Sequence, residues 1–138
     1  MNVNSNILTS TSGDVFRIRS SQLINDGYYC GDGGNDYITC DHTTKSLNEL
    51  FQFISNGTNG SYYVQVGDDS RNPFTGSRYC NLDPTTRKMS CNSSTPKNFM
   101  IVKNGVDEYN ILSDDYRYCY YSVGIVDVKG IVCDDTSV

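Results

Sequence analysis

The side chains that commonly carry out catalysis are few in this sequence, and they are not arranged for it. The chain has one histidine, His42, in a polar segment, and a solitary histidine of this kind is more often a surface residue than a general base. No Gly-x-Ser-x-Gly motif, paired-carboxylate arrangement or cysteine–histidine arrangement stands out. We therefore predict that the protein is not an enzyme and uses no cofactor.

Residues that bind metal ions are also poorly placed. Segment 31–36, Gly-Asp-Gly-Gly-Asn-Asp, combines oxygen ligands with tight glycines, but it lacks the spacing and the terminal glutamate of an EF-hand. We interpret it as a hairpin turn, because Gly, Asn and Asp are favoured turn residues. None of the six cysteines stands in C-x-x-C spacing, which argues against a zinc clip. We predict no metal site.

Acidic residues stand close to aromatic residues in three segments, each of which precedes a Tyr-Cys dipeptide. A sugar is bound by an aromatic ring that packs on its C–H groups and by a carboxylate that accepts from its hydroxyls. Asp and Tyr are also ordinary turn residues, so the pattern has a purely structural interpretation as well. On the sugar-binding interpretation, the ligand-binding residues are Asp26, Tyr28, Asp69, Phe74, Asp114 and Tyr116.

Short apolar segments with a period of two lie between these segments, and this is the pattern of half-buried strands. The first of them is residues 6–8, and the pattern predicts that Phe16 and Ile111, in later segments, face inward. Two bursts, a Tyr-Cys segment and an apolar-x-Cys segment follow one another three times along the chain. The repeats span approximately residues 1–46, 47–96 and 97–138. We therefore predict one all-β domain, residues 1–138, built from three pseudo-equivalent four-strand units.

Three such units resemble a β-trefoil, and among trefoils the chain resembles the fascin-like and ricin B-like groups. The resemblance covers nearly the whole chain, although the Gln-x-Trp motif of ricin B-like lectins is absent because there is no tryptophan. It implies a non-enzymatic, lectin-like module that binds carbohydrate through the loops of a rigid scaffold. The alternative is a protein-binding trefoil, either a protease inhibitor or a virion or assembly protein, that uses the long loop 68–77.

The trefoil resemblance also selects a cysteine pairing. Six cysteines allow many pairings, and their spacing alone does not choose among them. In a trefoil, the Tyr-Cys and apolar-x-Cys strands of one unit form a hairpin, which implies one disulfide per unit. The alternative is six buried thiols in a reducing compartment. The bridges implied by the resemblance are Cys30–Cys40, Cys80–Cys91 and Cys119–Cys133.

In each unit, an acidic or amide residue follows the second cysteine, and hydroxyl residues come after it. These residues are Asp41, Asn92 and Asp134. They form either a threefold ligand set or Asx turns that bond backbone N–H groups, and we favour the turns.

Composition and charge limit the possible partners. A net charge of −5 opposes binding to nucleic acid and to anionic membrane surfaces. No apolar run approaches the roughly 18–20 residues that span a bilayer, so we expect no membrane insertion. A glycan or a protein is then the expected ligand. The segment from Met1 to Ser12 lacks the basic and apolar regions of a secretory signal, whereas bridged cysteines indicate an oxidising environment, extracellular or in a virion.

Overall fold

The apolar bursts form antiparallel strands in a computed structural model of the protein, which describes residues 14–20, 27–33, 37–55, 60–67, 78–106, 108–123 and 129–136. The strands in these ranges are β1 (Asp14–Phe16), β2 (Tyr29–Asp32), β3 (Ile38–His42), β4 (Phe51–Ser55), β5 (Ser61–Val66), β6 (Tyr79–Leu82), β7 (Met89–Ser93), β8 (Phe99–Gly105), β9 (Glu108–Ser113), β10 (Tyr118–Ser122) and β11 (Gly130–Asp135). A 3₁₀ turn at Leu47–Glu49 is the only helical element in this part of the chain. The strand expected at 6–8 lies outside the described residues.

The strands pair in antiparallel fashion throughout the described ranges. One sheet has the order β1-β4-β5-β8-β9-β10-β11, with β6 joined to β5 and β7 joined to β6, while β2 and β3 form a separate pair. The described part of the protein is therefore all-β, as the sequence predicts.

Three hairpins of the same design are formed by β2–β3, β6–β7 and β10–β11. In each hairpin the tyrosine before the first cysteine pairs with the residue two positions after the second cysteine, and the register shifts beyond that tyrosine. The pairs are Tyr29 with His42, Tyr79 with Ser93, and Tyr118 with Asp135. Each tyrosine also pairs with the preceding part of the chain, at Arg19, Gln65 and Leu112 respectively. The repetition in the sequence is thus a repetition of strand register and of bulge position.

One disulfide crosses each hairpin. The bonds are Cys30–Cys40, Cys80–Cys91 and Cys119–Cys133, which confirms the implied pairing. They close loops of 10, 11 and 14 residues. On a chain-entropy basis each bond stabilises the fold by about 2.5–3 kcal/mol.

The second strands of the three hairpins contact one another. In the two bridges between hairpins, the residue three positions before the second cysteine of one hairpin pairs with the residue directly before the second cysteine of the next. Tyr37 bridges to Ser90, and Lys88 bridges to Val132. The Lys88 Nζ lies 3.9 Å from the centroid of the Tyr37 ring. Gly130 takes the third position with φ = 153°, and a Cβ added there would stand 2.8 Å from Lys88 Cε. A glycine is favoured at this place because residues with side chains rarely adopt this backbone conformation, and a side chain would also displace the end of Lys88.

Inward-facing apolar residues fill the space beneath the hairpins and between the strands. Phe16 and Ile111, which the strand pattern predicts to face inward, are buried. The Phe53 ring centroid lies 5.2 Å from that of Phe16 and 5.9 Å from that of Tyr62. Burial of a phenylalanine stabilises a fold by about 1.5–3 kcal/mol, so this aromatic row is a major part of the core.

A buried ion pair joins the first two units. Asp32 Oδ2 accepts from the Arg78 guanidinium at 2.6 Å, and both side chains are at least nine-tenths buried. The same guanidinium donates to the Val66 carbonyl at 3.3 Å.

The sequence analysis interprets segment 31–36 as a hairpin turn. That interpretation is wrong for Gly31 and Asp32, because both lie in β2. Residues 34–36 lie outside the described residues.

Candidate binding site at the β2–β3 hairpin

An open cavity of about 440 Å³ lies beside the β2–β3 hairpin, and we call it the hairpin cavity. Its lining combines hydroxyl groups, a carboxylate, an imidazole and an ammonium group. The lining residues are Gly33, Thr39, Asp41, His42, Thr43, Thr44 and Lys129. These groups include hydrogen-bond donors and acceptors, which suits a small polar ligand.

The histidine of the cavity is held from behind by a buried glutamate. His42 Nδ1 lies 2.9 Å from Glu49 Oε2, and His42 Nε2 lies 2.8 Å from Thr39 Oγ1. The Glu49 side chain is 2% exposed and that of His42 is 14% exposed. Because a carboxylate only accepts, Nδ1 carries a proton and donates it to Glu49. In the neutral ring, Nε2 is then the acceptor that faces Thr39.

Four donors surround the Glu49 carboxylate. Oε1 accepts from the Ser46 N–H, from the Ser46 hydroxyl and from the Thr44 hydroxyl at 2.8–2.9 Å, in addition to the bond from His42 to Oε2. Burial raises the pKa of the Glu49 carboxyl, but the hydrogen bonds from these residues outweigh burial and leave the pKa below its ordinary value. Glu49 is therefore a charged, fixed support for the histidine.

The glycine at position 31 permits this arrangement. A Cβ on Gly31 would lie 2.6 Å from the Asn48 carbonyl oxygen and 3.0 Å from Glu49 Cγ. The 3₁₀ turn can pack against β2 only because this position has no side chain. That packing places Glu49 behind His42.

Asp41 and Lys129 form an ion pair at the cavity. Lys129 Nζ lies 2.7 Å from Asp41 Oδ2, and both side chains are about half exposed. Burial raises the pKa of the Asp41 carboxyl, but hydrogen bonds from the Lys129 ammonium and the Thr39 hydroxyl outweigh burial and leave the pKa below its ordinary value. Asp41 thus bonds side chains in the structure, rather than the backbone N–H groups that an Asx turn requires.

A second cavity, of about 310 Å³, lies at the equivalent end of the third hairpin. It is lined by Tyr120, Asp134, Asp135 and Thr136. Burial, together with a hydrogen bond to the Asp134 carboxylate, raises the pKa of Tyr120 to about 12. The residue after the second cysteine therefore borders a cavity in both the first and the third hairpin.

The acidic–aromatic residues of the sequence analysis are described only in part. Asp26, Asp69, Phe74 and the loop 68–77 lie outside the described residues. Tyr28 is half exposed and accepts a hydrogen bond from the Ser20 N–H at its backbone carbonyl.

The third acidic–aromatic pair lies in the turn between β9 and β10. Asp114 pairs with Lys97 at 3.1 Å, and the Tyr116 side chain is 68% exposed on a backbone with φ = 64°. The neighbouring Asp115 accepts from Arg87 at 2.7 Å. Asp114 and Tyr116 are thus close in space and exposed, but the Asp114 carboxylate has a cationic partner.

Sequence reasoning missed the hairpin cavity because its residues come from distant parts of the chain. Glu49 follows His42 by seven residues, and Lys129 follows Asp41 by a much larger separation. The available signal was the repeated acidic or amide residue after each second cysteine. The sequence pattern favours Asx turns at these residues instead.

No protein-family model matches the chain, and a comparison with curated proteins finds no match. Within the described ranges, no group of three or more His, Cys, Asp or Glu side chains is placed to hold a metal ion. A helix long and apolar enough to cross a membrane is also absent from this part of the protein. The three disulfides are consistent with an oxidising environment.

Proposed function

We propose that the chain is a β-trefoil whose function is non-enzymatic, lectin-like binding of carbohydrate. Three features support the trefoil. The hairpins share one register and one bulge position, each carries one disulfide, and the second strands of all three contact one another. Strands β1, β4, β5, β8 and β9 stand side by side in sequence order, as the wall of such a fold requires.

The ion pair of Asp41 and Lys129 is the observation that carries the binding proposal. A sugar hydroxyl donates one hydrogen bond and accepts others, so two neighbouring hydroxyls can donate to a carboxylate and accept from an ammonium at the same place. The 2.7 Å separation of Asp41 Oδ2 and Lys129 Nζ sets these two groups side by side on an open cavity. The hydroxyls of Thr43 and Thr44 line the same cavity and add further partners for a polyol.

The test is a glycan array on the oxidised protein, followed by isothermal titration of the best saccharide. Asp41→Asn keeps the size of the side chain but removes its charge, and we expect it to weaken binding roughly tenfold or more. Asp114→Asn is the matched control, because Asp114 is an exposed aspartate paired with a lysine at 3.1 Å and lies outside the hairpin cavity. Binding by this control should equal that of the unaltered protein.

Two other outcomes contradict the proposal in different ways. If Asp114→Asn loses binding and Asp41→Asn does not, the binding site lies at the acidic–aromatic turn before β10 and not at the hairpin cavity. Failure of the unaltered protein to bind any glycan, with capture of a protein that is lost on changing Phe74, favours the protein-binding alternative instead.

A further inference from the structure

Three side chains at the hairpin cavity, Thr39, His42 and Glu49, are joined by hydrogen bonds in a row, and we call them the triad. Thr39 Oγ1 lies 2.8 Å from His42 Nε2, and His42 Nδ1 lies 2.9 Å from Glu49 Oε2. A hydroxyl, an imidazole and a carboxylate in this order form the arrangement that activates a hydroxyl as a nucleophile. The spacings along the chain are three and seven residues, and they match no common catalytic motif.

The Glu49 carboxylate determines which nitrogen of the ring accepts a proton. Because the pKa of the Glu49 carboxyl lies below its ordinary value, the carboxylate is ionised at neutral pH and only accepts hydrogen bonds. Nδ1 of His42 therefore carries the proton, and Nε2 of the neutral ring is the free base that faces the Thr39 hydroxyl. The Glu49 side chain is 2% exposed and is bonded by Ser46 and Thr44, so it holds the ring in this orientation.

Thr39 is the member of the triad that a molecule in the cavity contacts. It lines the hairpin cavity and is only partly buried, whereas Glu49 is buried behind the ring. Lys129 lines the same cavity, and the hydrogen bond and charge of Asp41 raise its pKa, so its ammonium stays protonated. A cation in such a site stabilises the negative oxygen that develops on an acyl group under attack.

We propose that the Thr39 hydroxyl is a nucleophile, activated by His42 as a general base, and that thioesters and esters with good leaving groups acylate it. The Thr39 oxygen bonds to the acyl carbon, and its proton passes to His42 Nε2. The bond from the acyl carbon to the leaving sulfur or oxygen then breaks, and the leaving group takes the electron pair and the proton held by His42. The products are a Thr39 ester, a thiol or alcohol, and a neutral histidine.

This acylation goes beyond the proposed binding of carbohydrate and does not depend on it. It is a single transfer of an acyl group to the protein, and it requires no turnover. Thr39 and His42 take part in the transfer, whereas Glu49 is a positioning residue that acts through His42.

The experiment treats the oxidised protein at pH 8 with p-nitrophenyl acetate and, separately, with phenyl thioacetate. Release of the leaving group gives the rate, and mass mapping of peptides gives the acetylated residue. We expect one acetyl group on Thr39. Thr85, an exposed threonine in the turn between β6 and β7, is the internal control, and its acetylation should be at least about a hundredfold slower because it lacks the base.

Variants test each member of the triad. Thr39→Val keeps the shape of the side chain and should abolish acetylation at this position, whereas Thr39→Ser keeps a hydroxyl and should retain it. His42→Gln should slow acetylation of Thr39 by about a hundredfold or more. Glu49→Gln should slow it by roughly tenfold or more, because the ring then loses its fixed orientation. Thr85→Val should leave the rate at Thr39 unchanged.

Several results would overturn the proposal. One is acetylation confined to lysines and the amino terminus, with Thr39 unmodified. Another is an equal rate at Thr39 in the unaltered protein and in His42→Gln. A third is loss of acetylation in Asp41→Asn but not in His42→Gln, because the base would then be the Asp41 carboxylate, whose Oδ1 lies 3.8 Å from His42 Nε2.

A spectroscopic readout tests the triad without an acyl donor. Because His42 is the only histidine of the chain, the nitrogen signals of its ring are assigned without ambiguity. At pH 8 they should show a proton on Nδ1 and none on Nε2, and the other tautomer should appear in Glu49→Gln. An unaltered protein with the proton on Nε2 overturns the proposal.

The outcome is distinguishable from that of the proposed function. Glycan binding is measured by the array and the titration, which contain no acyl donor. Release of clearly more than one equivalent of nitrophenolate, with acetyl-Thr39 trapped on the protein, supports the nucleophile and contradicts only the non-enzymatic part of the proposed function.

Discussion

Removal of one partner from the Asp32–Arg78 ion pair should be among the most damaging single changes in the protein. Arg78→Met keeps a long, flexible side chain but leaves the Asp32 carboxylate buried without its cation. Since the two charged atoms are 2.6 Å apart and both side chains are almost fully buried, water cannot replace the lost partner. Breaking a pair of this kind costs about 3–5 kcal/mol of stability.

That loss has a measurable size on the temperature scale. The chain has 138 residues, which corresponds to an unfolding entropy of about 0.29 kcal/mol/K at Tm. Dividing the loss by this entropy gives a decrease in Tm of roughly 10–17 °C for Arg78→Met. Calorimetry of the oxidised protein at neutral pH would measure it directly.

The double change Asp32→Leu with Arg78→Met provides the necessary comparison. It removes both charges and fills the same space with apolar groups, so it should recover most of the stability lost in the single variant. A single variant that loses less than about 1 kcal/mol would refute the reasoning, because water would then be reaching the carboxylate. A double variant as unstable as the single one would show that packing of the arginine stem, and not charge, is responsible.

Three further predictions are measured by urea unfolding of the oxidised protein. Gly130→Ala should cost about 1–3 kcal/mol through backbone strain and its contact with Lys88, and adding Lys88→Ala should restore only the part due to that contact. Glu49→Gln should lower the free energy of unfolding by about 1.5–3 kcal/mol at pH 7. Because the folded-state pKa of Glu49 lies below the ordinary 4.5, its charged carboxylate stabilises the unaltered protein above pH 4.5. This stabilisation is lost as the pH falls through the folded-state pKa. Phe16→Ala and Ile111→Ala should each cost about 2–5 kcal/mol, and losses below about 1 kcal/mol at both sites would contradict the strand phase.

Local features of the fold could be predicted from the sequence because they depend on neighbours in the chain. The alternation of apolar residues predicts that Phe16 and Ile111 face inward, and the trefoil resemblance implies that each cysteine pair lies on one hairpin. Both kinds of feature are set by strand periodicity and by short loops, which leave a period in the sequence.

The candidate site and the buried Asp32–Arg78 ion pair could not be predicted in this way. Asp32 reads as a turn residue in a glycine-rich segment, yet it is buried because Arg78 reaches it from the next unit. Glu49 has no apolar periodicity to mark it as buried, and it becomes so only when the 3₁₀ turn packs over Gly31. A polar residue is buried where a partner compensates for its desolvation, and the partner is known only from the tertiary fold.

The meeting point of the three hairpins places a limit on how far the units can be made identical. Lys88 fills the shared space, Tyr37 offers it a ring, and Gly130 leaves room for it. Three copies of the second unit would bring three ammonium groups together at one point, where like charges repel. Three copies of the third unit would leave an empty space that no side chain fills. A homotrimer of the second or of the third unit alone therefore could not reproduce this junction, which depends on units that differ where they meet.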